Sequence, residues 1–352
     1  MSLKAHIAAQ IAADGPMRID AYMATCLLHP TLGYYTTRPP FGQAGDFITA
    51  PEISQMFGEM LGLSLAQSWL DQGRPARFSL VEYGPGRGTL MADVLRATRQ
   101  VPGFSEAAEV TLVEASPALQ QVQQETLDGH KIRWVTEGTA LPDQPTFALA
   151  NEFFDALPVR QFVRDGDGWR ERQVGLEGTT LAFGLGPKQP QPALSDRLSD
   201  TKDGDLIEER SSAAPVMDAL GRRIKTHGGA ALIIDYGDWR TRGDTLQAVQ
   251  DHTPVDPLQD PGAADLTAHV DFEALAASAP CAFSKLTPQG VFLERLGITA
   301  RAQQLAKSLS GAALEQHIAA HRRLPHPAEM GNLFKVLALY PDGSAPPPGT
   351  NT

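Results

Sequence analysis

Short β-rich runs alternate with helical patterns from Gly73 onward, and this alternation limits the possible folds of the 352-residue chain more than any other feature. Such an order is typical of a parallel β-sheet covered by helices. Strands are predicted at 78–84, 109–115, 132–135, 146–154, 228–237 and 333–340, and helices at about 88–99, 117–127 and 209–226. A further helix is expected from Val270, followed by a short strand in "CAFSKL" and two or three helices between 290 and 323. The sequence therefore predicts an α/β fold.

Three stretches fall outside the alternation and set the expected domain boundaries. Residues 1–72 carry helical patterns of their own, so we expect an N-terminal helical cap or lid. Residues of about 160–208 contain polar hairpin patterns and a connection rich in Pro and Asp, which predicts an insertion into a sheet domain spanning 73–340. The last residues, 341–352, are "PDGSAPPPGTNT" and are predicted to be disordered.

Composition argues against two classes of function. The formal net charge is −11, the pI is near 5.3 and Lys and Arg are not clustered, so a large nucleic-acid interface is not expected. No apolar run approaches the ~20 residues of a transmembrane helix. Cys26 and Cys281 are the only cysteines, and because they fit no zinc or redox spacing we expect buried free thiols in a reducing compartment. The N-terminal sequence resembles neither a secretory signal nor an organelle presequence, so the expected location is cytoplasmic.

The segment "LVEYGPGRGTL" (80–90) places a glycine-rich loop between the first strand and the first helix of the alternation. Backbone N–H groups of such a loop, together with a helix N-terminus, can bind a ligand that glycines allow to approach closely. Gly84, Gly86 and Gly88 have the spacing G-x-G-x-G, which differs from the dinucleotide and phosphate loops. The alternative is a turn with a purely structural role, since such turns are common in parallel α/β folds.

Two acids at strand ends narrow the choice of ligand. Glu82, two residues before Gly84, would direct a carboxylate towards the ligand, which disfavours a pyrophosphate and suits a sulfonium or an amino group. Glu114 ends the second strand, where doubly wound nucleotide folds place the acid that accepts hydrogen bonds from ribose. Alone, Glu114 could be a surface carboxylate. Together with the glycines, the two acids favour a nucleoside cofactor that carries a sulfonium, namely S-adenosylmethionine.

Six segments resemble the MidA family of class I S-adenosylmethionine-dependent methyltransferases. They are "GYYTTRPPFGQAGDFITAPEISQMFGEMLG" (33–62), "LVEYGPGRGTLMADVLR" (80–96), "ANEFFDALPVRQF" (150–162), "IDYG" (234–237), "DLTAHVDF" (265–272) and "MGNLFKVLA" (330–338). The resemblance implies a Rossmann-like seven-stranded sheet whose last strand lies antiparallel between its neighbours. It also implies that the three glycines with Pro85 surround the methionine part of the cofactor, with Glu82 near its amino group and Glu114 on its ribose.

The end of the fourth strand supplies the candidate catalytic residues. By resemblance, Asn151 and Glu152 face the transferred methyl group. An arginine substrate is always protonated and its lone pairs are delocalised, so a carboxylate could orient the guanidinium and balance its charge. Glu152 is the first candidate for this role and Asp155 the second, because "NEFFD" puts both just beyond a strand end. Alternatively, Asn151 and Glu152 contact the adenosine or cap the following turn.

Asp46 and His269 are candidate residues of a lid or of the substrate site. "AGDFITAPEIS" contains Asp46 and Glu52, and its structural alternative is a T-x-x-E capping box formed by Thr49 and Glu52. The resemblance favours Asp46 in the active-site lid. His269 in "TAHVDF" either contacts a substrate or only forms a structural hydrogen bond. The histidines show no metal-binding spacing, and no metal is predicted.

The family resemblance extends these expectations to a function. It implies a protein arginine methyltransferase whose product is symmetric dimethylarginine and whose partner is a subunit of respiratory complex I, since the family includes a complex I assembly factor with this activity. The acidic charge balance is compatible with an arginine-bearing partner. Two alternatives stay open at this point: a small-molecule methyltransferase, and an assembly chaperone that binds S-adenosylmethionine without essential catalysis. The oligomeric state is also open.

Overall fold

The computed structural model describes residues 2–37 and 49–351, so that the predicted lid residue Asp46 lies outside the described residues. The helices are α1 (Leu3–Asp14), α2 (Ile19–Leu28), α3 (Tyr34–Thr37), α4 (Ala50–Ile53), α5 (Gln55–Asp71), α6 (Thr89–Thr98), α7 (Phe104–Ala107), α8 (Pro117–Thr126), α9 (Ala213–His227), α10 (Phe272–Ser278), α11 (Gln289–Arg295), α12 (Ile298–Ala306) and α13 (Gly311–Arg323). The strands are β1 (Met17–Arg18), β2 (Phe78–Tyr83), β3 (Ala108–Val113), β4 (Ile132–Val135), β5 (Thr146–Asn151), β6 (Arg160–Asp165), β7 (Gly168–Glu177), β8 (Thr180–Gln189), β9 (Leu206–Glu209), β10 (Gly229–Asp238), β11 (Gln247–Gln250), β12 (Thr253–Val255), β13 (Asp265–Thr267), β14 (Val270–Asp271), β15 (Ala282–Phe283), β16 (Thr287–Pro288) and β17 (Phe334–Tyr340). Within these ranges, no helix is both long and apolar enough to cross a membrane.

The chain forms two compact units. The large unit comprises Ile48–Phe154, Ala214–Trp239 and Val270–Thr352, and the small unit comprises Met1–Phe47, Asp155–Ala213 and Arg240–His269. This division differs from the expected boundaries in two ways. Helix α5 belongs to the large unit instead of an N-terminal cap. The small unit also contains two later segments, Asp155–Ala213 and Arg240–His269, where one insertion of about 160–208 is predicted.

The large unit is built on a mostly parallel sheet with the strand order β15-β17-β10-β5-β2-β3-β4. Strands β10, β5, β2, β3 and β4 are parallel, and β17 lies antiparallel between β10 and β15. Strand β14 also pairs with β10, and β16 pairs with β17, so that the sheet has nine strands within the described residues. The predicted Rossmann-like α/β fold with an antiparallel last strand is confirmed, and the parallel strands end at one edge of the sheet.

Helices α5 and α6 cover the sheet and hold the first strand-to-helix loop in place. The core of this unit contains Phe57 and Leu61 of α5 and Leu90 and Val94 of α6, all at most 2% exposed. The two helices approach closely because α5 has a glycine at the contact: a Cβ atom on Gly58 would lie 2.6 Å from the Cβ of Asp93. The N-terminus of α6, which follows the glycine loop, is therefore fixed by packing.

The C-terminal segment packs on the large unit in place of the expected disorder. Ser64 Oγ donates a hydrogen bond to the carbonyl of Pro348 (2.8 Å), and the N–H of Lys285 donates to the carbonyl of Asn351 (3.0 Å). Gly349 lies against Phe292, so closely that a Cβ atom there would be 2.7 Å from the ring. The Pro- and Gly-rich composition that predicted disorder here instead forms two turns, closed by hydrogen bonds from the N–H of Ser344 to the carbonyl of Pro341 (3.1 Å) and from the N–H of Thr350 to the carbonyl of Pro347 (3.2 Å).

The small unit contains the predicted hairpins. Its larger sheet has the order β1-β7-β6-β9, with β8 paired to β7, and a second sheet has the order β12-β11-β13. The hairpin turns contain Gly166 and Gly178, both with positive φ, as tight turns between antiparallel strands require. Helices α1 and α2 of this unit pack against its strands through an apolar core that includes Tyr22 and Val174. Cys26 of this core and Cys281 of the large unit are both buried free thiols, as predicted.

Candidate active site

The glycine loop joins β2 to α6 and follows the fully buried strand "FSLVEY". Gly84, Gly86 and Gly88 have φ angles of +63°, +53° and +85°, a left-handed conformation that residues with a Cβ rarely adopt. Gly88 is the N-cap of α6 and offers no side chain to the first turn. Pro85 is buried, and its carbonyl accepts a hydrogen bond from the N–H of Gly88 (2.7 Å). No side chain of the loop caps the first turn of α6, which suits a ligand that accepts hydrogen bonds from N–H groups of that turn.

Parallel pairing brings three of the predicted cofactor residues to one level of the sheet edge. Tyr83 on β2 pairs with Val113 on β3 and with Ala150 on β5. The residues that directly follow these three positions are Gly84, Glu114 and Asn151. Because side chains at the carboxyl ends of neighbouring parallel strands meet at the same edge, the structure assembles these residues into one site.

Glu82 is buried on β2, with only 3% of its surface exposed. Its Oε2 atom has no hydrogen-bond partner among the described residues. Burial raises the pKa of Glu82 to about 8, and a hydrogen bond from the backbone of Met91 only partly opposes this rise. A buried carboxylate with an unpaired oxygen is costly unless a ligand donates to it, and an ammonium group would meet this need.

Glu114 is also buried, at 9% exposed, which excludes the alternative of a surface carboxylate. Its Oε1 accepts a hydrogen bond from the N–H of Ser116 (2.7 Å) and its Oε2 accepts one from Nε2 of Gln123 (3.1 Å). Burial raises the pKa of Glu114, while these donors lower it in part. A carboxylate has about four acceptor positions, so Glu114 retains the capacity to accept further hydrogen bonds, such as those of a ribose diol.

Asn151 and Glu152 follow each other at the end of β5. The buried Oδ1 of Asn151 has no hydrogen-bond partner among the described residues, while its Nδ2 donates to Oε1 of Glu152 (3.1 Å). The same carboxylate oxygen accepts a hydrogen bond from the N–H of Ala50 (3.4 Å). The carboxylate of Glu152 is therefore held in position by both an amide side chain and the start of α4.

Glu152 adopts a left-handed backbone conformation with φ of +51°. Such a conformation costs roughly 1–3 kcal/mol in a residue with a Cβ, and it persists where the surroundings enforce it. The N–H of Glu152 donates to the carbonyl of Ile234 (2.9 Å), and the N–H of Phe154 donates to the buried carboxylate of Asp235 (3.1 Å). The neighbouring strand β10 thus supports the strained turn, and Asp235 in "IDYG" is a supporting residue that the sequence did not reveal.

Helix α4 contacts the glycine loop through Glu52. Oε1 of Glu52 accepts a hydrogen bond from Oγ1 of Thr89 (2.6 Å), and Oε2 lies 3.9 Å from Nη1 of Arg87. Thr49, although it is the N-cap of α4, makes no side-chain capping bond. The capping box, one of the two alternatives for this segment, is therefore not formed, and the carboxylate of Glu52 instead accepts a hydrogen bond at the first turn of α6.

Gln123 is a buried site residue that the sequence analysis missed. It lies on α8, where it and Leu119 are the buried residues and are four positions apart. Nε2 of Gln123 donates to the carbonyl of Gly86 (2.8 Å) as well as to Glu114, and Oε1 accepts from Nε1 of Trp134 (2.9 Å). The signal in the sequence that could have identified Gln123 is its position as a polar residue on the apolar face of an amphipathic helix.

Asp155 and His269 belong to the small unit. Oδ1 of Asp155 accepts a hydrogen bond from the N–H of Ala156 (2.8 Å). The N–H of His269 donates to Oγ1 of Thr245 (2.8 Å), and its carbonyl accepts from Nη1 of Arg210 (3.3 Å). These contacts are consistent with a structural role, so the assignment of both residues to substrate binding or catalysis stays a prediction. In the ranges that the structure describes, no group of three His, Cys, Asp or Glu side chains is placed to hold a metal ion.

The groups at this edge of the sheet fit a ligand that combines an amino acid with a nucleoside. Unpaired buried acceptors on Glu82 and Asn151 require donors, such as an ammonium or an amino group. The start of α6 attracts a carboxylate, and Glu114 can accept hydrogen bonds from ribose hydroxyls. S-adenosylmethionine carries all of these groups on one molecule.

Comparisons with known proteins agree with this chemistry. The family model of S-adenosyl-L-methionine-dependent methyltransferases matches residues 60–290. The mitochondrial protein arginine methyltransferase NDUFAF7 is 37% identical in Danio rerio, over 96% of this chain and 86% of that protein. The human protein is 36% identical, over 96% of this chain and 82% of its own.

A solved structure shows the same fold with a cofactor product bound. It is a COG1565 superfamily member from Burkholderia thailandensis in complex with S-adenosyl-homocysteine, 29% identical, with a TM-score of 0.81. The match covers 96% of this chain and 91% of that one. The chain therefore belongs to the MidA family of S-adenosyl-L-methionine-dependent methyltransferases, and S-adenosyl-L-methionine is its cofactor.

Proposed function

We propose that the chain methylates an arginine side chain of a partner protein. Two lines support the proposal. The relatives named above are protein arginine methyltransferases and match this chain over 96% of its length. In the large unit, the carboxylate of Glu152 is held at the end of β5 by Asn151 and by a strained backbone, which is the kind of fixed acid that a guanidinium requires. The position of Glu152 carries the proposal.

The large unit would hold the cofactor with four kinds of group. The N–H groups of the glycine loop would receive its amino-acid carboxylate, Glu82 its ammonium, Glu114 its ribose hydroxyls, and Asn151 a donor of the adenosine or amino-acid part. S-adenosyl-L-methionine supplies a methyl group activated by a positively charged sulfur. An ionised Glu82 beside the ammonium would have a lower pKa than in the free protein, because the nearby positive charge favours the carboxylate.

Glu152 would act as the catalytic residue by binding the guanidinium. Two N–H groups of an arginine can donate to one carboxylate in a planar, bidentate arrangement. This orients the nitrogen that remains for methylation, and the negative charge counters the positive charge of the substrate. Alignment of the nucleophile with the methyl group accounts for most of what a protein must do in such a displacement.

The decisive experiment uses Glu152→Gln, which keeps the size and one acceptor oxygen of the side chain and removes its charge. Purified wild-type and variant proteins are incubated with labelled cofactor and an extract of cells that lack the protein, and labelled peptides are identified by mass spectrometry. We expect arginine labelling to fall by at least ~100-fold, as for other removed transition-state contacts. The affinity for S-adenosyl-homocysteine, measured by calorimetry, should change by less than about threefold, which is within 0.7 kcal/mol.

The matched control is Glu125→Gln, the removal of an exposed acid on α8, which should methylate like wild type. Full activity of Glu152→Gln would contradict the role of Glu152. Label in small metabolites and none in protein would replace the protein substrate with a small molecule. If the folded but inactive Glu152→Gln protein still supported the assembly of its partner as well as wild type does, the protein would act as an assembly chaperone.

The same mass spectra test the finer parts of the proposal. We propose symmetric dimethylarginine as the product and a respiratory complex I subunit as the partner, in a cytoplasmic reaction. The support for the partner is the family resemblance and the names of the relatives. Fragment ions that distinguish symmetric from asymmetric dimethylarginine, together with the identity of the labelled peptide, decide both points.

A further inference from the structure

The amide of Gln123 joins three parts of the large unit at the cofactor site. The side chain is 0% exposed, although glutamine is usually a surface residue. It contacts the glycine loop at the carbonyl of Gly86, the end of β3 at the carboxylate of Glu114, and β4 at the indole of Trp134. Both the oxygen and the NH₂ group of the amide form hydrogen bonds, as a buried amide requires.

The chemistry of these partners allows only one orientation of the amide. An indole N–H only donates, so Trp134 must face Oε1 of Gln123. A backbone carbonyl and a carboxylate only accept, so Gly86 and Glu114 must face Nε2. Rotation of the amide by 180° would place acceptor against acceptor on one side and donor against donor on the other. Trp134 therefore orients Gln123, and Gln123 in turn orients Glu114.

We infer that Gln123 is a positioning residue for cofactor binding, which holds the carboxylate of Glu114 in the orientation that accepts the ribose diol and ties it to the glycine loop at Gly86. The inference rests on the proposed role of Glu114 at the ribose. The carboxylate is supported from two sides, by the N–H of Ser116 at Oε1 and by Gln123 at Oε2. Without Gln123, Oε2 loses its donor and the link between Glu114 and the loop is broken.

A second glutamine provides a comparison for Gln123. Another glutamine on the same helix, Gln120, donates from Nε2 to the backbone carbonyl of Glu114 (2.9 Å). Helix α8 therefore contacts Glu114 twice, once at its main chain and once at its carboxylate. Only the contact of Gln123 reaches the group that would bind the cofactor, and this difference provides a matched pair of variants.

The test compares Gln123→Met with Gln120→Met. Both remove an amide and keep the length of the side chain. The affinities for S-adenosyl-homocysteine and for its 2′-deoxy analogue are measured by calorimetry, and melting temperatures are recorded for each protein. In wild type the ribose hydroxyl should contribute to affinity, so the analogue binds less tightly. We expect Gln123→Met to lose about tenfold in affinity for S-adenosyl-homocysteine, the effect of one hydrogen bond to a charged group, and to bind the two ligands almost equally.

Gln120→Met should retain the wild-type ratio of the two affinities. If Gln123→Met weakened both ligands by the same factor, the role of Gln123 would be merely structural and the inference would be overturned. Glu114→Gln separates this result from a failure of the site assignment. If Glu114→Gln keeps the wild-type ratio of the two affinities, Glu114 does not bind the ribose, and both this role of Glu114 and the inference about Gln123 are wrong. If only Gln123→Met keeps the wild-type ratio, the inference about Gln123 alone is wrong.

If Gln123→Met does not fold, Trp134→Phe gives an independent test. Trp134 is only half-buried, and phenylalanine keeps an aromatic ring there while removing the indole N–H that orients the amide. We expect Trp134→Phe to lower the ratio of the two affinities by about two- to threefold, the effect of a weak neutral hydrogen bond. An unchanged ratio in this variant would contradict the inference.

Discussion

The residues of the candidate site are acids and amides whose buried oxygens are only partly paired within the chain. Oε2 of Glu82 and Oδ1 of Asn151 lack hydrogen-bond partners among the described residues. The carboxylate of Glu114 accepts hydrogen bonds from Ser116 and Gln123 and can accept further ones. Such groups destabilise the free protein, because a buried polar atom without a hydrogen bond costs about 1–3 kcal/mol. A ligand that supplies donors gains this free energy on binding. Stability of the free chain and affinity for the cofactor therefore oppose each other at these residues.

Glu82→Gln should separate these two effects. Since the pKa of Glu82 is raised from the usual 4.5 to about 8 in the folded protein, the folded state binds more protons than the unfolded state between these values. The free energy of unfolding then decreases as the pH rises from 4.5 to 8. We expect Glu82→Gln to raise the melting temperature of the free protein at pH 8.5 by at least ~2 °C and to have little effect near pH 4.5.

The same substitution should weaken binding of S-adenosyl-homocysteine by about tenfold, because a neutral amide interacts less strongly with an ammonium group than a carboxylate does. Thermal scans of the free and the ligand-bound protein measure both effects. A melting temperature of Glu82→Gln that is lower than wild type at pH 8.5 would contradict the raised pKa. Glu125→Gln, in which the substituted acid is exposed, serves as the control.

At the scale of elements, helix α6 and its neighbour α5 determine where the glycine loop lies. Their close approach at Gly58 and the ion pair of Arg96 with Glu59 of α5 (2.6 Å) hold α6 against α5, and Arg96 also pairs with Asp93 of its own helix (2.7 Å). Arg301 of α12 completes this network at 2.7 Å from Glu59. Burial tends to raise the pKa of Glu59, but Arg301 and Arg96 outweigh it and lower the pKa below the usual 4.5.

Gly58→Val should push α5 away from α6. A Cβ atom at residue 58 would be 2.6 Å from the Cβ of Asp93, whereas one at Gly62 would be 3.1 Å from the nearest atom, the Cα of Val94. We expect Gly58→Val to lower the free energy of unfolding by about 2 kcal/mol or more, as overpacked core variants do, and Gly62→Ala to lower it less. Urea denaturation measures both. A Gly58→Val variant as stable as wild type would show that the helices can separate without cost.

At the scale of the whole molecule, the large unit collects segments from three parts of the sequence. Its last contribution is the C-terminal segment, which follows β17 and contacts α5, α11 and the residues after β15. These contacts involve Ser64, Phe292 and Lys285, which are far from the C-terminus in the sequence. The segment thus contacts elements from distant parts of the sequence of the large unit.

Deletion of residues 342–352 should therefore destabilise the large unit. The deletion removes the hydrogen bonds of Ser64 and Lys285 to this segment and uncovers the ring of Phe292. We expect a loss of at least about 2 kcal/mol, since each of the two hydrogen bonds contributes about 1 kcal/mol and the exposure of Phe292 adds to it. Ser64→Ala, which removes only one of them, should lose about half as much. A deletion variant with the melting temperature of wild type would contradict a structural role of the segment.

The sequence by itself determined the elements of the sheet, the glycine loop and the acids at the strand ends. These depend on local properties, namely hydrophobic periodicity, the turn conformations open to glycine, and the position of an acid relative to a strand end. The strands β2, β3, β4 and β5 begin or end within a few residues of their predicted limits, and Glu82, Glu114 and Asn151 lie at the sheet edge as expected.

The tertiary structure alone decided which other residues support these groups. Gln123 lies 37 positions from Gly86 and Glu52 lies 37 from Thr89, and neither contact has a local signal that predicts its partner. The ordered C-terminal segment and the division into two units depend in the same way on contacts between distant parts of the chain. Local patterns specify which conformation a segment adopts, whereas the partner of a buried polar group is set only when packing brings distant segments together.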